Sequence, residues 1–343
     1  MNHTLREIEQ QLLNYKKVGC AIALLNSALD NSFLYSGFRN KTDLINENTR
    51  FQIASLSKPV TAWAIMKLVE DGRIDLDINV NNYLKNYQFP DDLSPYITTR
   101  QLLSHTAGLN KKFYFGNRLQ NTSPYSLAQS VKKHTRIVAK PGGRFIYSGS
   151  AYTVLQMIIE DVSNMSFEDY MQLNIFNILG MKNSSYSYDL KQKDLYCKGH
   201  LTPYIKLPNI QYTEMAAAGL SSTIRDYSTF IKANLKPYLK EDTTEHILTL
   251  ESIQLMHGRI QRDISYGLGF GIQNIMGHKF IYHVGVNIGW RSFFAMETDR
   301  QEGILIFINE FFSNNLMKVV LRIWLENTFQ MTADTSVLKR FLN

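Results

Sequence analysis

The chain opens with apolar residues at helical spacing. They recur every three or four positions and predict an amphipathic helix over residues 4–16. The recurring residues are Leu5, Ile8, Leu12 and Tyr15. Two strands are predicted after this helix, over residues 18–26 and 33–38. From about residue 80 to 250 the pattern changes to helices joined by long loops rich in Asn, Tyr, Ser and Pro.

A strand pattern returns in the last third of the chain. The predicted strands are Tyr266–Ile272, Phe280–Val286, Arg291–Glu297 and Gly303–Asn309. A final helix is predicted over residues 315–329. Because the late strands alone would leave one face of their sheet uncovered, we expect the two ends of the chain to share one sheet.

Composition and charge narrow the class of protein. Of the 343 residues, 44% are hydrophobic and 12% are aromatic, which is typical of a globular chain and excludes a disordered, collagen-like or coiled-coil protein. The net charge of +7 is spread over single residues and pairs, so we expect no nucleic-acid partner. No apolar run approaches the ~20 residues that span a bilayer. The N-terminus does not resemble a signal peptide, so the expected location is cytoplasmic, with export left open.

Cysteine and histidine usage gives no case for a metal or a cofactor. Cys20 and Cys197 are the only cysteines, and they form neither a disulfide framework nor a CxxC pair. Cys20 lies in an apolar run and is predicted to be a small core residue. The eight histidines form no HExxH or HxH pair. We therefore expect no metal and no organic cofactor.

Candidate chemistry begins at Ser55-Leu-Ser-Lys58. This segment follows the apolar residues 51–54 and opens a helical pattern over residues 59–70. At positions i and i+3 of one turn, the hydroxyl and the ammonium group face the same side, so the lysine can assist removal of the serine proton. The helix start also supplies backbone N–H groups for an oxyanion. On these residues alone, an N-cap serine beside a surface lysine remains an equal alternative.

Three other patterns are interpreted as structural or left open. Ser130 and Lys133 form a second SxxK, which we predict to be a solvated helix face. The GxGxG run over residues 267–271 is not GxGxxG, so a glycine-relieved strand is favoured over a nucleotide loop. The aromatic residues 113–115 either line a pocket or pack a loop. No GxSxG nucleophile elbow is present.

Several segments occur in one order along nearly the whole chain and together resemble a known superfamily. They are FQIASLSKP at 51–59, LLSHTAGL at 102–109, YSGSAY at 147–152, AAGLSS at 217–222 and HVG at 283–285, with Gly289 following. In this combination the chain resembles the serine β-lactamase and penicillin-binding-protein superfamily. The similarity is to its class C-like branch of esterases, D-aminopeptidases and D,D-carboxypeptidases.

The resemblance implies a serine hydrolase and assigns roles to its residues. Ser55 would be the acylated nucleophile and Lys58 its proton-handling partner. Tyr147 would be the general base and later the proton donor to the leaving group. The backbone N–H groups of Ser55 and Val286 would form the oxyanion hole. His105 is interpreted as a satisfied interior histidine rather than a second base.

The substrate side of the implied site departs from the superfamily pattern. Gly149 replaces the asparagine of Tyr-x-Asn, and His283 replaces the lysine of Lys-Thr-Gly. Gly285 would let substrate lie close to its strand. A mostly neutral histidine is a weak partner for a carboxylate, so the changes favour an ester or small amide over a β-lactam. If His283 contacts the reacting group, a rate limb near pH 6 to 7 follows, around its usual pKa of about 6.5.

The expected fold is therefore α+β, with an antiparallel sheet flanked by N- and C-terminal helices. Residues 1–80 and 250–343 would form the sheet domain, and residues 81–249 an inserted, mostly helical domain, with the active site between them. The expected partner is a small-molecule ester, amide or peptide substrate, and the oligomeric state is not predicted. A β-lactamase, an acyltransferase and a catalytically silent ligand-binding member remain alternatives.

Overall fold

The computed structural model describes residues 3–15, 18–26, 31–40, 42–90, 97–111, 126–235 and 247–342. Its helices are α1 His3–Leu12, α2 Ser57–Glu70, α3 Thr99–Leu103, α4 Leu127–His134, α5 Gly149–Ser163, α6 Phe167–Met171, α7 Asn177–Leu179, α8 Met215–Ala218, α9 Ile224–Leu235, α10 Leu250–Met256, α11 Asn314–Phe329 and α12 Thr335–Leu342. Its strands are β1 Cys20–Asn26, β2 Ser32–Ser36, β3 Phe51–Gln52, β4 His200–Thr202, β5 Ile205–Lys206, β6 Ser221–Ser222, β7 Gly271–Ile275, β8 His278–Asn287, β9 Trp290–Glu297 and β10 Glu302–Ile308. The aromatic residues 113–115 lie outside the described residues.

A six-stranded sheet joins the two ends of the chain. Its strand order is β2-β1-β10-β9-β8-β7, and every neighbouring pair is antiparallel. The first strand lies beside the last, with Cys20 opposite Ile308 and Asn26 opposite Glu302. This confirms the predicted α+β fold with one antiparallel sheet shared by the N- and C-terminal segments.

The alternation along each central strand divides the apolar side chains between two cores. In β10, Leu305 and Phe307 join the core that contains α2, α5 and α9. Ile304 and Ile306 point the other way and pack with α1, α11 and α12. Burying one such side chain contributes roughly 1.5–3 kcal/mol. Helices therefore cover both faces of the sheet, and Cys20 lies in the second core as predicted.

Most predicted elements occur within a few residues of their expected bounds, but two predictions are wrong. Of the predicted strand Tyr266–Ile272, only the last two residues belong to β7. Ser130 is buried in α4 and donates its hydroxyl proton to Glu214, whereas Lys133 is exposed. The second SxxK is therefore not a solvated face, because its serine is buried. Helix α12 was not predicted.

The division into a sheet domain and an inserted helical domain stays a prediction. In sequence, α3–α8 lie between β2 and β7, which are the two edge strands of the sheet. Helix α9 packs against β1 and β10, so part of the middle segment also covers the sheet. None of the helices in the described ranges is long and apolar enough to cross a membrane.

The glycine run passes close to α2, and only its last residue, Gly271, pairs in the sheet. Gly269 has φ +90°, and a Cβ built there would lie 2.5 Å from the Cβ of Ala62. Gly277 has a similar φ of +84°, but a Cβ there would meet nothing within 4 Å. The two positions share the left-handed backbone and differ in steric room.

We predict that Gly269→Ala destabilises the protein more than Gly277→Ala does. Both substitutions add the strain of a positive φ, about 1 kcal/mol, but only the first forces α2 to move, which adds about 1–3 kcal/mol. Urea unfolding of both variants and the parent measures the difference. Equal losses of unfolding free energy would show that contact with α2 is not the constraint.

Candidate active site

Ser55 lies on a strained turn between β3 and α2. The turn is a 3-10 helix over Ala54–Leu56, and Ala54 has φ 51°. A left-handed backbone is uncommon for a residue with a side chain and persists only where the surroundings enforce it. Here Ser57 donates its hydroxyl proton to the Ala54 carbonyl at 2.7 Å and accepts from the Leu220 N–H at 3.0 Å. The turn is therefore tied to the segment that leads into β6.

Lys58 lies completely buried beside this serine. Its Nζ is 3.1 Å from Ser55 Oγ and donates to the Ala217 carbonyl at 2.6 Å. Burial lowers the pKa of Lys58 from 10.5 to about 7, because the charged amine loses its hydration. The neutral amine is thus populated near neutral pH, and its lone pair can accept the serine proton. The predicted i, i+3 contact is present, and the alternative of a surface lysine is wrong.

Tyr147 joins the pair from the start of α5. Ser148 is the N-cap of α5 and accepts from the Ala151 N–H at 3.1 Å, which fixes the residue just before it. Lys58 Nζ lies 5.0 Å from the centre of the Tyr147 ring. Burial raises the pKa of Tyr147 well above its usual value of 10, and a hydrogen bond with Ser55 opposes part of that rise. Tyr147 therefore holds its proton at neutral pH.

His105 packs against the ring of Tyr147 and binds both of its chain neighbours. Its ring centre is 4.4 Å from that of Tyr147. The Ser148 N–H donates to His105 Nδ1 at 3.0 Å, and the Ile146 N–H donates to the His105 carbonyl at 2.8 Å. Both neighbours of Tyr147 are thus bound to one residue, which itself has φ 60°. The prediction of an interior histidine holds, but its Nε2 has no hydrogen-bond partner among the described residues.

His283 is buried on the cleft side of β8. Its Nε2 accepts from the Tyr266 hydroxyl at 3.0 Å, and its Nδ1 donates to the Val284 carbonyl at 2.9 Å. Burial and the nearby charge of Lys58 lower the pKa of His283 to about 3. The ring is therefore neutral throughout the neutral range. The lowered pKa argues against the expected rate limb near pH 6 to 7 from this histidine, and the limb itself stays a prediction.

Gly285 lets β8 pack directly on the nucleophile turn. A Cβ at this position would lie 2.6 Å from the Ile53 carbonyl oxygen and would clash with the Ser292 hydroxyl. Ser292 donates to that same carbonyl at 2.7 Å. The glycine is therefore required for packing beneath Ser55, and its contact with substrate stays a prediction. The oxyanion-hole role of the Val286 N–H also stays a prediction.

Gly149 is the first residue of α5 and is buried. Its carbonyl accepts from the Thr153 hydroxyl at 3.1 Å. With no side chain, Gly149 supplies no side-chain amide to Lys58, and the Ala217 carbonyl is a backbone acceptor for the amine. The role of Gly149 in binding substrate remains a prediction.

Sequence reasoning missed two members of the site. Tyr266 lies at the start of a predicted strand, and nothing in its local pattern indicates that its hydroxyl contacts His283. Ala217 had a signal, because it opens the AAGLSS segment that carries part of the resemblance. Among the described residues, no cluster of three or more His, Cys, Asp or Glu side chains could hold a metal ion.

Comparison with known proteins agrees with this geometry. The family model described as Beta-lactamase matches residues 5–326. This chain belongs to the beta-lactamase family. The resemblance seen in the ordered motifs is thereby confirmed, and family membership places the chain within the β-lactamase-like serine hydrolase superfamily.

Relatives of this beta-lactamase family member have low sequence identity and a closely similar fold. Protein flp of Staphylococcus aureus strain MRSA252 is 23% identical over 278 residues, which are 76% of this chain and 53% of that protein. The chain thus spans about half the length of the curated relatives that it matches. An octameric penicillin-binding protein homologue from Pyrococcus abyssi is 24% identical, with a TM-score of 0.79 over 96% of this chain and 78% of its own. The D-amino acid amidase of Ochrobactrum anthropi SV3 is 21% identical, with a TM-score of 0.79 over 96% and 99%.

We predict that Lys58→Met removes a pH dependence of stability. Between the folded pKa of about 7 and the unfolded value of 10.5, only the unfolded chain binds the proton. The free energy of unfolding of the parent therefore rises by about 1.4 kcal/mol per pH unit across this range from this group alone. Methionine has no proton to bind and fills a similar volume, so the variant is more stable at pH 7.

Urea unfolding of the parent and Lys58→Met at pH 7 and 9 measures this difference. The exposed Lys132→Met is the matched control, and we expect it to keep the pH slope of the parent. A Lys58→Met slope equal to that of the parent would contradict the lowered pKa.

Proposed function

We propose that this chain is a serine hydrolase that acts through a covalent acyl-enzyme on an ester or small amide. The observation that carries the proposal is the 3.1 Å contact between Ser55 Oγ and the buried Lys58 Nζ. A buried amine with a pKa of about 7 is a base matched to neutral pH. Family membership supports the reaction class.

In the acylation step, the neutral Lys58 accepts the hydroxyl proton of Ser55 as Oγ attacks the substrate carbonyl carbon. The oxyanion is bound by the backbone N–H groups of Ser55 and Val286. Tyr147 donates its phenolic proton to the leaving group as the carbonyl bond to that group breaks, and Lys58 returns a proton to Tyr147. The proton of Ser55 thus reaches the leaving group, and Ser55 is acylated.

Water then reverses this route. Water gives a proton to the Lys58 and Tyr147 pair and attacks the acyl carbon. The bond between that carbon and Ser55 Oγ then breaks, Ser55 Oγ takes the proton back, and the acid is released. In this scheme Lys58 is the base and Tyr147 the proton donor, because the pKa of Tyr147 is raised. The predicted general-base role therefore moves from Tyr147 to Lys58.

The substrate preference rests on Gly149 and His283. No asparagine amide stands at position 149 to bind a peptide-like acyl amide, and a histidine with a pKa of about 3 supplies no cation for a carboxylate. Both features support a small ester or amide. The fold of a D-amino acid amidase supports amides, and that of a class C beta-lactamase, with a TM-score of 0.79, keeps β-lactams as a test substrate.

A catalytically silent ligand-binding member is the second candidate, and the missing amide at Gly149 favours it. The convergence of Ser55, Lys58 and Tyr147 argues against a silent member, because a binding site needs no titratable amine beside a serine hydroxyl. Transfer of the acyl group to an acceptor other than water is a variant of the first candidate.

We predict that kcat/KM for an ester rises with pH through one limb centred near pH 7. The rise follows loss of the Lys58 proton, since the neutral amine is the base. The other titratable groups that face the amine do not change charge there. His105 and His283 have lowered pKa values, and Tyr147, Tyr152 and Tyr266 have raised ones.

A pH profile of p-nitrophenyl acetate hydrolysis, run for the parent and His283→Gln, tests this assignment. The limb is expected to keep its position in His283→Gln even if the rate falls. A limb that disappears with the histidine would assign the titration to His283.

We predict that Ser55→Ala lowers ester turnover by at least about 10³-fold, because the nucleophile is lost. Intact-mass spectrometry after incubation with a fluorophosphonate probe, p-nitrophenyl acetate or a penicillin measures adduct formation. One adduct in the parent and none in Ser55→Ala is expected, and the exposed Ser187→Ala is the matched control. Ligand binding without any adduct or turnover would favour the catalytically silent member. A lasting penicillin adduct would favour a peptidase over an esterase.

A further inference from the structure

Two hydrogen bonds from His105 hold the backbone on both sides of Tyr147. The His105 carbonyl accepts from the Ile146 N–H at 2.8 Å, and His105 Nδ1 accepts from the Ser148 N–H at 3.0 Å. The imidazole also packs on the phenol, with 4.4 Å between the two ring centres. Any residue at position 105 could supply the carbonyl. The Nδ1 acceptor is the hydrogen-bonding group that depends on the histidine side chain.

The conformation of His105 is unfavourable in two respects. Its backbone has φ 60°, a left-handed conformation that is uncommon for a residue with a side chain. Burial lowers the pKa of His105, so the ring is neutral, and because Nδ1 is an acceptor the ring proton lies on Nε2. That Nε2–H is buried and has no acceptor among the described residues. Backbone strain and unsatisfied buried groups occur preferentially at functional sites, so the two features indicate more than core packing.

The position of the Tyr147 hydroxyl matters most for substrates with a poor leaving group. When the bond from the carbonyl carbon to the leaving oxygen breaks, the electron pair goes to that oxygen. The oxygen takes the Tyr147 proton, and Lys58 returns a proton to Tyr147. An alkoxide needs this proton, whereas p-nitrophenolate is a stable anion and leaves without it. A proton donor acts only within hydrogen-bond reach, about 2.6–3.2 Å, so a shift of about 1 Å can lower the rate about 10²-fold.

We propose that His105 is a positioning residue for Tyr147, and that the hydrogen bond between its Nδ1 and the Ser148 N–H keeps the phenol within reach of the leaving group. This role rests on the proposed function of Ser55, Lys58 and Tyr147. Esters of ordinary alcohols are then the substrates that require His105, and activated phenyl esters are not. In this role His105 contacts no substrate and transfers no proton.

Hydrolysis of benzyl acetate and p-nitrophenyl acetate by the whole chain tests the role. Both esters transfer the same acetyl group and carry an aromatic ring on the leaving side, and they differ in how much the leaving oxygen needs a proton. The readout is the ratio of kcat/KM for benzyl acetate to that for p-nitrophenyl acetate. Because both values come from one preparation, the ratio does not depend on the fraction of folded protein. Tyr147→Phe is expected to lower this ratio at least about 10²-fold.

Two substitutions of His105 separate its acceptor from its contribution to folding. His105→Leu removes Nδ1 and is expected to lower the ratio at least about tenfold. His105→Asn keeps an acceptor oxygen near the place of Nδ1 and tolerates the left-handed backbone, so we expect its ratio to stay within about threefold of the parent. In both variants the Tyr152 hydroxyl can still donate to the Leu103 carbonyl, at 3.0 Å in the parent, which keeps α5 attached to the segment that contains position 105.

His257 provides the matched control, because it is another fully buried histidine. Its ring packs on Phe270 and its Nε2 contacts Asn234. His257→Leu is expected to lower stability and to leave the ratio within about twofold of the parent. In a Tyr147→Phe background, His105→Leu is expected to change the ratio by no more than about twofold, because no phenol remains to be positioned.

The outcomes separate this role from the proposed function. Suppose that p-nitrophenyl acetate turnover depends on Ser55, as the proposed function requires. An unchanged ratio in His105→Leu, an equally low ratio in His105→Asn, the same fall in His257→Leu, a further fall in the double variant, or no benzyl acetate turnover by the parent would then each overturn the positioning role alone. Absence of Ser55-dependent turnover of either ester would instead overturn the proposed reaction, and the role of His105 with it.

Discussion

The burial of one lysine amine beside Ser55 is the constraint on which the rest of the site depends. A charged amine inside a protein is unfavourable, and here the free energy is lowered by giving up the proton near neutral pH. That requires a dry environment, which α2, α5 and α8 provide together. The same dryness raises the pKa of Tyr147 and lowers that of His283. One packing arrangement therefore sets the protonation state of every group around the serine.

Backbone groups hold this arrangement more than charged side chains do. The Ala217 carbonyl receives the Lys58 amine, and the Leu56 carbonyl receives the Tyr227 hydroxyl at 2.8 Å. His105 binds the peptide groups on both sides of Tyr147. Carbonyls and amide N–H groups carry no proton that titrates in this range, so these backbone groups keep their charge while that of Lys58 changes.

Local patterns could predict contacts within one helix or strand. They could not predict how segments distant in sequence bury or contact its residues. The contact between Ser55 and Lys58 follows from one helical turn, so its spacing could be predicted, but the burial of Lys58 depends on segments that the spacing does not show. The convergence with Tyr147 came only from resemblance, because no local rule places a residue from α5 against α2. The burial of Ser130 depends on Glu214, which is 84 residues away. The Tyr266 hydroxyl contacts His283, and no sequence pattern connected these two residues. The strand predicted over Tyr266–Ile272 is wrong up to Phe270, because alternation cannot show whether a neighbouring strand lies within pairing distance.

The pairing of β1 with β10 has a consequence for how the molecule is made. A ribosome releases Cys20–Asn26 long before it has synthesised Glu302–Ile308, so one edge of an apolar strand has no partner during most of translation. Contacts between such distant segments also slow folding, because a long loop must close before they form. An unpaired apolar edge is a site where chains associate wrongly. Early pairing of β1 is therefore important for the nascent chain. Strand β2 follows β1 in the chain and can pair with one of its edges before β10 has been synthesised.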